Sequence, residues 1–65
     1  MNDIETRARA RVAETLTALA DAEARIAATL TRKAPHATAL IAMHTATAVA
    51  YTRAASQQRS IRHGA

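Results

Sequence analysis

From Val12 onward the larger apolar side chains fall at Val12, Leu16, Leu19, Ile26 and Leu30, with Glu23 in the one gap, a spacing of 4, 3, 4, 3, 4. This is the heptad pattern of a helix that presents one seam to a neighbouring helix. Small residues flank it, Ala8, Thr15, Ala22 and Thr29 on one side and Ala13, Ala20 and Ala27 on the other, so a neighbour can approach closely. The spacing predicts a helix over about 3–33. Asn2 with Glu5 three residues on has the layout of a capping box at its start. Arg32 and Lys33 suit the negative end of its dipole.

Pro35 forbids continuation, because it pushes Ala34 out of the helical region and lacks an amide proton. A turn at about 34–35 is short enough to join antiparallel neighbours. A second helix is expected over about 36–62, with a matching seam at Ala37, Ile41, His44, Ala48, Tyr51, Ala55 and Gln58. Folding the chain back at Pro35 pairs positions whose numbers sum to about 67: Ile26 with Ile41, Leu19 with Ala48, Leu16 with Tyr51 and Val12 with Ala55. The same rule sets Glu23 beside His44, Glu14 beside Arg53 and Glu5 beside Arg62. Asp3 with Arg7, Glu5 with Arg9 and Asp21 with Arg25 have the spacing of helical ion pairs.

The second helix is unusual in having almost no face suited to water. His36 to Thr52 contains no formally charged side chain and is mostly alanine and threonine. Leu40, Met43 and Val49 lie outside its seam, so it is apolar on more than one side. The fold class expected is therefore all-α: a two-helix antiparallel hairpin over residues 1–65, dimerising into a four-helix bundle. The interface set is Leu16, Leu19, Ile26, Leu30, Leu40, Ile41, Met43, His44, Val49 and Tyr51, with Glu23 and His44 as a buried polar pair.

Composition strengthens the case for association. Nineteen alanines make up much of the 49% apolar fraction, and no cysteine is present to staple so small a core. The cysteine-free sequence fits a reducing cytosol, and a cytoplasmic location is expected. Residues 34–52 are long enough to cross a bilayer, but histidine, threonine and proline make them too polar for one. Residues 1–30 hold no secretory apolar core.

Little catalytic chemistry is on offer. With no glycine loop, no cysteine and Glu23 as the one carboxylate in the expected interior, the chain reads as non-enzymatic and without a cofactor. His44 has three readings: a polar contact that fixes register, a pH-sensitive contact with Glu23, or an axial ligand holding haem or metal between two chains, with Met43 next to it.

The charge is uneven. Residues 1–23 carry five acids and three arginines, net −2, and residues 24–65 carry six cations and no acid. Helix dipoles account for part of this. Arg7, Arg11, Arg25, Arg53 and Arg59 remain as a candidate nucleic-acid contact surface, with no stacking aromatic and no helix-turn-helix turn for base reading. In size and layout such a dimer is similar to the helical hairpins that regulate plasmid copy number by gripping paired RNA loops. The first expectation is a self-associating interaction module that acts as an adaptor, inhibitor or assembly component; the second is a nucleic-acid-binding regulator.

Overall fold

The computed structural model describes residues 3–60 as two helices, α1 over Asp3–Lys33 and α2 over Thr38–Ser60, which lie against each other. Asp3 and Glu5 in the first turn of α1, and Arg32 and Lys33 in its last, complement its dipole. Asn2, Ile61 and Arg62 lie outside the described residues, and with them the proposed capping box, the end of the second helix and the Glu5–Arg62 pair.

The helices are joined by Ala34–Ala37. The Ala34 amide closes α1 on the Leu30 carbonyl at 2.7 Å, and the Ala37 amide then donates to the Ala34 carbonyl at 2.9 Å. α2 starts at Thr38, two residues later than the spacing suggested. Pro35 and His36 form the turn instead of opening the helix, and Ala37 is the N-cap, its carbonyl accepting from the Ile41 amide at 3.0 Å.

On α2 every seam position expected from the sequence is buried or half-buried, from Ala37 through Ile41, His44, Ala48 and Tyr51 to Ala55 and Gln58. On α1 the seam differs by half. Leu16, Glu23 and Leu30 face α2 as expected, but the alternate places are taken by Ala13, Ala20 and Ala27. Val12, Leu19 and Ile26 stay exposed, so their expected pairings with Ala55, Ala48 and Ile41 do not form the hairpin's core. The physical reason is close approach: alanine on α1 against alanine on α2 brings the two backbones together, and branched side chains at those places would hold them apart.

The resulting core is thin. Ala13, Ala20, Ala27 and Ala55 are the buried apolar residues, and among the described residues no large side chain is fully buried. The molecule measures 50 × 17 × 10 Å, one helix thick, and its radius of gyration of 15.1 Å exceeds the roughly 10–11 Å of a compact domain of this length.

Candidate functional site: an unpartnered apolar face

The hairpin is a single layer with two broad sides of different chemistry. One side holds an open groove of about 410 Å³, lined by Ala20, Asp21 and Ala24 of α1 and by Thr45, Ala48, Val49, Thr52 and Arg53 of α2. The Arg59 guanidinium crosses on this side to donate to the Thr17 hydroxyl at 2.9 Å. Helical periodicity then assigns the opposite side. From α1 it takes Val12, Thr15, Leu19, Ala22, Ile26 and Thr29, and from α2 Leu40, Met43, Thr47, Ala50, Ala54 and Gln57.

Each of these rows repeats with a spacing of 3, 4, 3, 4, 3. Each helix therefore carries two heptad seams. One is covered by the other helix of the hairpin, and the second is open. No formally charged residue occurs in the open rows between Val12 and Thr29 or between Leu40 and Gln57. Val12, Leu19, Ile26, Leu40 and Met43 are between 41% and 53% exposed there. The threonine in the middle of the α2 row costs little to cover, because the Thr47 hydroxyl already donates to the Met43 carbonyl at 2.9 Å.

Of the ten expected interface residues, Leu19, Ile26, Leu40 and Met43 thus share this open face. Leu16, Leu30, Ile41, His44 and Tyr51 are half-buried in the hairpin seam. Val49, 43% exposed, belongs to the groove side and is not brought together with the other four. The second open seam was legible in the sequence as the flanking row of Ala8, Thr15, Ala22 and Thr29 on α1 and as Leu40 and Met43 outside the expected seam on α2. Which side of Leu16, Glu23 and Leu30 would be covered depends on the closest packing of alanines, which spacing alone does not fix.

Glu23 and His44 meet as the fold-back predicts, with Nδ1 of His44 2.6 Å from Oε1 of Glu23. An ionised carboxylate only accepts, so the imidazole donates from Nδ1 and its Nε2 is left uncommitted. The pair is half-buried, not buried: the side chains are 22% and 24% exposed. Both residues belong to the seam positions nearest the open apolar face, and the thin alanine core leaves that edge uncovered. A carboxylate on Nδ1 also orients a ligand histidine through Nε2, but among the described residues no three His, Cys, Asp or Glu come together.

The five candidate arginines, Arg7, Arg11, Arg25, Arg53 and Arg59, are all exposed and none belongs to the open apolar rows. Among the described residues the one ion pair between helical neighbours is Arg9 with Glu5, at 2.8 Å. The expected pairs Asp3–Arg7, Asp21–Arg25 and Glu14–Arg53 are not formed. These side chains stand in water, where holding two long chains in one geometry gains little. Among the described residues no helix is long and apolar enough to cross a membrane. No family model matches this chain, and neither curated proteins nor solved structures give a match.

Proposed function

We propose that the chain is a non-enzymatic interaction module that self-associates through its open apolar face, two hairpins closing into a four-helix bundle. The observation that carries this reading is the second heptad seam on both helices, free of charge except at its ends, on one side of a layer whose own core is four alanines. A pair of such faces would bury Leu19, Ile26, Leu40 and Met43, the side chains able to supply the burial that the hairpin lacks. Assembly is then part of the folded state, and the arginine-bearing outer surfaces are free to meet a further partner.

Native mass by size exclusion with light scattering tests this. A particle of twice the 6.9 kDa chain mass is expected, reduced to monomer in the double variant Leu19→Gln/Met43→Gln. A monomeric native chain at high micromolar concentration contradicts it.

A second reading, nucleic-acid binding, is favoured by one finding: Arg7, Arg11, Arg25 and Arg53 are exposed without an acidic partner. It predicts phosphate-backbone contact with a steep salt dependence. Replacing these four arginines with glutamine would then abolish binding to duplex RNA or DNA in a mobility-shift titration while leaving the native mass unchanged. Equal binding by the variant and the native chain rules it out.

A further inference from the structure

The orientation of the two hairpins follows from how size and charge are distributed along the open face. We infer that the partner on this face is a second copy of the chain turned end for end, so that α1 lies along α1 and α2 along α2 of the other copy with the two turns at opposite ends. This rests on the self-association proposed above and specifies its geometry.

The first observation is bulk. The large exposed side chains Ile26, Leu40 and Met43 lie in the half of the face nearest the turn. The far half offers Val12, the polar Gln57 and the small Thr15, Ala50 and Ala54, with Ile4 beyond them at the start of α1. Two copies with their turns at the same end would crowd six large side chains into one half of the bundle and leave the other half under-filled. Both errors are costly, since overpacking and voids each destabilise a core. Turning one copy end for end sets the bulky half of each against the small half of the other, as interdigitation needs.

The second observation is charge. The heptad row of Val12, Leu19 and Ile26 continues to Glu5 at one end of α1 and to Lys33 at the other. An end-for-end arrangement with its two-fold axis near Leu19 brings Glu5 of each copy to Lys33 of its mate. The energy of such exposed pairs is small, but they form only in this orientation: with the turns at the same end, two-fold symmetry sets α1 along α2 of the other copy and keeps Glu5 and Lys33 at opposite ends. The same closure covers the exposed edge of the Glu23–His44 contact, which becomes a polar layer within the bundle, a place where a polar pair fixes register.

The test is a distance between nitroxide labels in the dimer, measured by pulsed electron resonance. The chain has no native cysteine, so His36→Cys in the exposed turn and Ala18→Cys on the outer surface near the axis each give one label per copy. With 1.5 Å per residue, the end-for-end dimer should give roughly 45–50 Å between turn labels. The labels at residue 18 should fall under about 30 Å, given helices packed 8–10 Å apart. A particle of dimer mass with turn labels closer than about 25 Å would overturn this arrangement while leaving self-association standing. A monomeric mass with no dipolar signal at either site would overturn both.

Discussion

Glu23 and His44, like Arg59 and Thr17 at 2.9 Å, join the two helices through polar chemistry, with 2.6 Å between Nδ1 and Oε1. Their coupling should be measurable. In a double-mutant cycle with alanine, followed by urea unfolding, an interaction energy on the order of 1 kcal/mol is expected, with Glu23→Gln retaining part of it because an amide oxygen still accepts from Nδ1. Additive single-mutant effects would show that the contact does not hold in solution. The buried alanines make the opposite kind of prediction. Ala20→Leu inserts bulk where the backbones are closest and should destabilise the hairpin by about 1–3 kcal/mol, whereas Ala18→Leu on the outer surface should change unfolding little. Equal effects of the two would mean that the alanine seam is not the packed one. The Glu23–His44 contact was legible in the sequence because a charge inside an apolar repeat demands a partner, and the fold-back at Pro35 offered one. Its partial exposure was not, since that depends on how thin the surrounding alanine core is.

At the scale of the element, the end of α1 and the position of the turn were readable from Arg32, Lys33 and Pro35, each acting through local chemistry. The start of α2 was misplaced by two residues because Pro35 suits either a turn or a first helical position, and the hydrogen bond from the Ala37 amide to the Ala34 carbonyl decides for the turn. Ala37 is a poor N-cap, with no side-chain oxygen for the first free amides of α2. Ala37→Ser should therefore raise stability by about 1 kcal/mol in thermal or urea unfolding. No gain, or a loss, would place the start of α2 elsewhere. The covered seam of α1 was half legible. Spacing identified Leu16, Glu23 and Leu30, which belong to both seams of that helix. The choice between the row of Val12, Leu19 and Ile26 and the row of Ala13, Ala20 and Ala27 is made by packing distance, a property of two helices together.

At the scale of the molecule, the proposal of a bundle rests on a layer 10 Å thick with four buried alanines and, down one side, a seam charged only at its ends. Arg7, Arg25 and Arg53 lie off that seam and would stay exposed in the proposed bundle, whereas Arg11, five turns from Thr29, lies at its edge. If folding and association are one event, as proposed, thermal unfolding by circular dichroism over a hundredfold range of chain concentration reports it most directly. The midpoint should climb steadily with concentration, because mass action stabilises a folded state that exists only as an assembly. A cooperative midpoint that stays constant across that range would show that the single hairpin is stable by itself, and the open apolar face would no longer be explained by a second copy.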